Sequence, residues 1–159
     1  MTSPVYLPLK GVRVLSFEIA FALPAGTRSL CDLGADVVRV APPGGSAAAS
    51  YISVVDGVFH GKPCISIDLT TEEGRELAFS LAMHADVVCN NFRPGVISKY
   101  GLDSQRLRAA KPDLIYLQLS GYGTPGPWSG FANRKNKPKK RSFAKVLICG
   151  GLPQRPFVC

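Results

Sequence analysis

The apolar residues of this chain fall into short, nearly continuous runs, and between the runs they recur three and four apart. Residues 12–17, VRVLSF, are rich in β-branched and alternating positions, which predicts a strand. The following stretch, EIAFALPAGTRSLCDLG, changes to helical spacing. Pro24 suits a helix's first turn, Ala25, Leu30 and Leu33 supply its apolar face, and Gly34 is placed to end it in a left-handed cap. ADVVRV then predicts a second strand, stopped by APPGG. Strand, loop, helix and strand within about 30 residues is the size of a βαβ unit.

The alternation continues. Residues 41–61 are rich in Gly, Ala and Ser and read as a long loop. Residues 64–69, CISIDL, predict a third strand. A helix follows, with Thr70 and Glu73 at capping-box spacing, Glu72 and Glu73 in its first turn, and Leu77, Leu81 and Ala85 on one face. DVVCNNF predicts the next strand. GLDSQRLRAAKP predicts a short helix with Asp103 as N-cap, and DLIYLQLS a further strand. Strand runs this uniformly apolar belong to a mostly parallel sheet covered on both faces, a Rossmann-like α/β fold. Ligands of such sheets bind beyond the carboxyl ends of the strands, where the loops EIAFALPAG, NNFRPGV and SGYGTPGPW lie.

Charge divides the chain in two. Residues 1–131 hold 11 Lys/Arg and 11 Asp/Glu, so the whole net charge of +8 comes from residues 132–159, which hold no Asp, Glu or His. The first part predicts no polyanion partner, and nucleic acid is expected to bind only through the basic stretch RKNKPKKR, if at all. Five cysteines without C-x-x-C spacing suggest neither a disulfide framework nor a metal site. No apolar run approaches the roughly 20 residues of a membrane helix, and MTSPVYLPLKG is not a signal-peptide pattern. A cytoplasmic protein is the default expectation.

Candidate chemistry sits in the loops. In NNFRPG, Asn91 can hydrogen-bond a base or an amide, Phe92 can cover a ring and Arg93 can fork onto a phosphate, with Lys99 adding a charge further on. The same residues also suit an Asx turn with a core Phe and a solvated Arg. Glu18 follows the first strand and reads either as a functional carboxylate or as a solvated loop residue. His84 suits a helix C-terminus, and neither it nor His60 is placed for a Ser-His-Asp triad. The dinucleotide fingerprint G-x-G-x-x-G and the P-loop pattern are both missing, which counts against a nucleotide-dependent Rossmann enzyme.

Taken in order, LKGVRVLSF, LPAGTRSLCDLGADVVRV, GKPCISIDLTTEEGRELAFSLAMHADVVCNNFRPGVISKYGLD and KPDLIYLQLSGYGTPGPW resemble the N-terminal region of family III CoA-transferases over roughly residues 9–130. That family includes formyl-CoA and carnitine CoA-transferases and the α-methylacyl-CoA racemases. The resemblance implies a Rossmann-like coenzyme A-binding region over residues 1–131, truncated relative to the full family fold. It implies acyl-CoA and carboxylic acid substrates, no metal, and an interlocked homodimer for full-length members. By position it places CoA contacts on Ile19, Ala20, Phe21, Ala22, Ile67, Asn91, Phe92, Arg93, Pro94 and Lys99. It also implies a catalytic aspartate beyond the matched region, which attacks the acyl-CoA thioester to give a mixed anhydride and then an aspartyl-CoA thioester.

Three positions depart from the family pattern. Ile19, Ala20, Phe21 and Ala22 stand where some members carry His-x-Gln-Ala, Ala41 replaces an acidic residue, and Lys62-Pro63 replaces a Lys-Arg pair. Residues 132–159 fall outside the pattern and are expected to be disordered, apart from a possible short strand in AKVLICGG. Out-of-frame translation, a basic arm for a polyanion, or a divergent terminus would each produce such a stretch. The expectation is therefore a CoA-binding part of a CoA-transferase without its own catalytic Asp. The alternatives are a regulatory module with a polyanion-binding tail, or a racemase part.

Overall fold

The structure is a computed structural model and describes residues 6–45, 56–123, 129 and 145–149. The elements run β1 (Arg13–Phe17), α1 (Ala22–Asp32), β2 (Asp36–Ala41), α2 (Asp56–Phe59), β3 (Cys64–Ser66), α3 (Glu72–His84), β4 (Val87–Asn90), α4 (Val96–Lys99), α5 (Ser104–Ala110), β5 (Ile115–Ser120) and β6 (Lys145–Cys149). They form one sheet in the order β3-β2-β1-β4-β5-β6. The first five strands are parallel, and β6 pairs antiparallel with β5. This is the α/β architecture that the alternating runs predict.

Strand periodicity sorts the core onto two faces. Leu15, Phe17, Val40, Val88 and Tyr116 pack with Ala78 and Ala82 of α3, Ile97 of α4 and Leu107 of α5. Val14, Val37 and Cys89 pack on the opposite face with Leu23 of α1. Asn90 is buried in the first of these layers, where its amide donates to the Tyr116 hydroxyl (2.9 Å), which in turn donates to the Leu102 carbonyl (3.0 Å).

Several expectations are corrected. The stretch 41–61 contains the short helix α2 rather than loop alone. On α1, Leu33 is exposed, and Leu23, Pro24 and Thr27 face inward instead. The N-cap of α3 is Thr71, whose hydroxyl accepts from the Gly74 amide at 3.0 Å, while Thr70 turns back to Asp68. The buried stripe of α3 is Gly74, Ala78 and Ala82, and Leu77 is 47% exposed. The reason is distance: small residues let the helix lie close to the sheet, and a Cβ at Gly74 would collide with the Asp68 carbonyl. In AKVLICGG, where the sequence allows a short strand, Lys145–Cys149 forms the edge strand β6. Gly34 at φ +98° and the Asp103 N-cap stand where the sequence puts them.

The amino ends of β1 and β4 are joined by a forked ion pair. Arg13 donates through its backbone N–H (2.9 Å), Nε (3.2 Å) and a terminal guanidinium nitrogen (2.9 Å) to the Asp86 carboxylate. These hydrogen bonds, from the Arg13 side chain first, hold the Asp86 carboxyl down at about 2 against an ordinary 3.8. A depressed carboxyl stabilises the folded state above its unfolded value, and that contribution disappears as pH falls toward about 2. Asp86→Asn is expected to lower Tm at neutral pH and to flatten the loss of Tm between about pH 4 and pH 2. Gly74→Ala is expected to destabilise by about 1–3 kcal/mol, measured by urea unfolding, because the added methyl must displace backbone.

Candidate functional site at the strand crossover

β1 and β4 are neighbours, but the chain leaves them in opposite directions along the sheet, toward β2 and toward β5. The loops after them diverge, and a crevice opens between them at the carboxyl edge. A cavity of about 240 Å³ lies there, lined by Phe17, Glu18, Ile19, Val40, Ala41, Pro42, Ile67, Asp68, Leu69, Thr70, Phe92, Val96 and Tyr100. A second cavity of about 290 Å³ lies between α3 and α5, with mixed charges from Glu72, Arg75, Glu76 and Arg106. It takes no residue from any strand, so the crevice is the better candidate despite its smaller volume.

The two loops are bound to one another. Asn91 accepts from the Ile19 amide (2.8 Å) and donates to the Ile19 carbonyl (2.6 Å), closing the loop after β1 against the loop after β4. The bend is sharp enough to hold Ala20 at φ +57°, the single positive φ outside glycine among the described residues. Holding a non-glycine residue there costs on the order of 1 kcal/mol, which the surrounding contacts must offset. Gly95, at φ +81°, turns the second loop into α4.

Beneath the first loop lies a charge pair withdrawn from water. Lys62 Nζ donates to Glu18 Oε1 at 2.7 Å, and both side chains are fully buried. Ser16 (2.8 Å) and Thr27 (2.6 Å) donate their hydroxyls to Glu18 Oε2. Lys62 also donates to the Pro24 carbonyl (3.0 Å) and to Thr27 Oγ1 (2.9 Å). Glu18 is therefore not the solvated loop residue that one reading of the sequence allowed. Beside this cluster, burial pushes the Cys89 thiol up to about 12, with the Glu18 charge adding to the rise and Ser16 and Lys62 opposing it. At neutral pH Cys89 is a protonated thiol and no nucleophile.

The expected contact residues take different positions. Ile67 and Phe92 line the cavity. Ala20, Phe21 and Ala22 form the exposed bend and the start of α1, with Phe21 56% exposed. Asn91 faces the Ile19 backbone, which occupies an oxygen and a nitrogen of its amide. Arg93 and Lys99 are exposed, and neither has an ion partner among the described residues. Pro94 is half-buried ahead of Gly95. Of SGYGTPGPW, Ser120 accepts from the Gly123 amide (3.1 Å), and residues 124–128 lie outside the described residues. The sequence reading missed Phe17, Val40, Leu69, Val96 and Tyr100 as cavity lining. They look like ordinary core positions: Phe17 and Val40 lie at strand ends, Leu69 lies beyond β3, and Val96 and Tyr100 belong to α4 and its cap. Asp68 also lines the cavity, its carboxyl lowered by hydrogen bonds from the Thr70 hydroxyl and amide. Among the described residues no group of His, Cys, Asp or Glu is arranged to hold a metal, and no helix is long and apolar enough to cross a membrane.

A mostly parallel sheet flanked by helices, with a crevice at the crossover, defines a Rossmann-like α/β domain. The chain belongs to CoA-transferase family III, whose model matches residues 9–133. It is 43% identical over 136 residues to the probable fatty acyl-CoA transferase Rv3272 of Mycobacterium tuberculosis, covering 79% of this chain and 34% of that protein. It is 38% identical over 140 residues to the succinate–glutarate CoA-transferase of Agrobacterium fabrum, covering 79% of this chain and 35% of that protein. The crystal structure of a CAIB/BAIF family protein from Brucella suis superposes with a TM-score of 0.73 at 40% identity, over 80% of this chain and 37% of the other. The chain thus spans about a third of the length of the curated relatives it matches.

Breaking the buried pair from one side leaves a charge without a partner. Lys62→Ala is expected to cost about 3–5 kcal/mol in urea unfolding, far more than loss of an exposed ion pair.

Proposed function

We propose that this chain is the coenzyme A-binding part of an enzyme that moves CoA between an acyl-CoA and a carboxylic acid. The observation that carries the reading is the crevice itself: a ring- and aliphatic-lined cavity at the crossover, with two unpaired cations on the adjoining loop and helix. The walls formed by Val40, Ile67, Phe92 and Val96 suit a flat heterocycle, and Asp68 and Thr70 offer polar groups at its edge. Arg93 and Lys99 are the groups for the phosphates, the first as a fork and the second as a point charge. Ile19 of the bend lines the same crevice, and the pantetheine arm would leave past it.

The reaction reading rests on the family. An aspartate carboxylate attacks the thioester carbon, the C–S bond breaks and CoA leaves as thiolate. The thiolate then attacks the aspartyl carbonyl of the mixed anhydride, releasing the donor acid and leaving an aspartyl-CoA thioester. The acceptor carboxylate reverses these two steps and leaves with CoA. The resemblance implies an aspartate beyond the matched residues 9–133, and residues 132–159 hold no carboxylate side chain. We therefore assign this chain binding without turnover. Transferase is favoured over racemase because the relatives named above are CoA-transferases.

Calorimetric titration of the 159-residue chain with CoA tests the reading. Saturable binding is expected, and Arg93→Ala should weaken it about tenfold, or about 1.4 kcal/mol, at unchanged Tm. Absence of binding at millimolar CoA, or equal affinity in the variant, would overturn the assignment. Acyl-CoA mixed with a carboxylic acid should show no transfer by this chain alone.

A further inference from the structure

The buried pair Glu18–Lys62 ties together three separate segments, two of which line the crevice, while the third is the start of α1. Glu18 directly follows β1 and is itself one wall of the cavity. Thr27 and Pro24 belong to the opening turns of α1. Lys62 lies two residues before β3, whose continuation supplies Ile67, Asp68 and Leu69 to the same cavity. Both carboxylate oxygens accept, and the ammonium has three acceptors. A salt bridge so placed is weak evidence for stability, because desolvation of two charges offsets most of their attraction. It is strong evidence for geometry, because each ion tolerates few other positions for its partners.

The bend that the pair supports is short. Glu18 is anchored on one side and Pro24 on the other, and Ile19, Ala20 and Phe21 must bridge from Glu18 to the first residue of α1, Ala22. Among the described residues, the outer side is held by the Asn91 side chain, through the Ile19 amide and carbonyl. The strained Ala20 conformation is thus clamped from inside by the charge pair and from outside by one side-chain amide.

We propose that Glu18 and Lys62 are positioning residues for the ligand crevice: they set the bend at Ile19–Phe21 and the approach of the β3 end to it, without touching the ligand through their charges. This inference rests on the CoA-binding reading for its ligand, but its structural half stands separately. Lys62, although a cation near a site for a phosphate-rich ligand, is already committed to Glu18, Thr27 and Pro24 and is not a phosphate contact. Methionine has no proton for the Pro24 carbonyl, and glutamine carries one acceptor oxygen where the carboxylate has two. The double variant Glu18→Gln/Lys62→Met therefore keeps the volumes, leaves no lone buried charge and removes the tie.

The test is amide hydrogen exchange at Ile19 and Phe21, run beside CoA titration on the same 159-residue chain. The double variant is expected to keep its circular dichroism spectrum, to exchange these amides about tenfold faster and to bind CoA about tenfold more weakly. Exchange unchanged within about twofold would overturn the proposal, whatever the affinity does. Faster exchange with unchanged CoA affinity would equally overturn the link from bend to crevice. If the parent chain binds no CoA, the functional reading fails and exchange alone decides the positioning role. If the double variant does not fold, Thr27→Val replaces it. That variant keeps both charges, removes one hydroxyl donor to Glu18, and is expected to speed Ile19 exchange about threefold. No change in that variant would overturn the proposal.

Discussion

The structure depends on β1 being shared. Its backbone hydrogen-bonds to β2 on one side and β4 on the other, in matched parallel register over nearly its whole length. A strand buried this way has no edge and no solvated face, so its residues from Val14 to Phe17 are all buried. The chain must leave it toward one side and arrive at its other neighbour from elsewhere. That reversal of strand order is what opens the crevice, and the Glu18 carboxylate just past the carboxyl end of β1 is satisfied inside the protein.

Polarity at the two ends of β1 does two different jobs. At the amino end, Arg13 and Asp86 meet at a solvated rim, their side chains 54% and 39% exposed, where water screens the charge and the fork geometry aligns β1 with β4. At the carboxyl end, Glu18 and Lys62 meet with water excluded, where desolvation and attraction are both large and nearly cancel. The first pair is tunable by pH and salt. The second acts through its directionality, with both side chains fully buried. The difference follows from burial, since the charges themselves are of the same kind.

This division changes how the family-like segments are read. ADV supplies Asp86 to the strand-aligning fork, and the glycine of DLTTEEG lets α3 approach the Asp68 carbonyl. The first asparagine of CNNF, Asn90, lies in the core against Tyr116, and the second, Asn91, closes two loops onto each other. Among the described residues, Arg93 and Lys99 are the cations near the cavity without an ion partner. Much of what looks like ligand chemistry in these segments is therefore scaffolding that shapes the crevice.

The alternation of strands and helices along the chain, the helix stop at Gly34, the helix start at Asp103 and the location of the loops were legible in the sequence. They follow from local physics: run length, periodicity, capping and backbone freedom. The burial of small rather than large residues on α3 was not legible, because hydrophobicity favours Leu77 whereas close packing on the sheet favours Gly74, Ala78 and Ala82. The pairing of Glu18 with Lys62 was not legible either, since 44 residues separate them and each alone reads as a surface charge. The cavity walls were equally hidden, because Val40, Ile67 and Val96 share a surface only after three crossovers bring their elements to one edge. Local preference is written residue by residue, but which polar groups end up beyond the reach of water is decided by the assembled sheet.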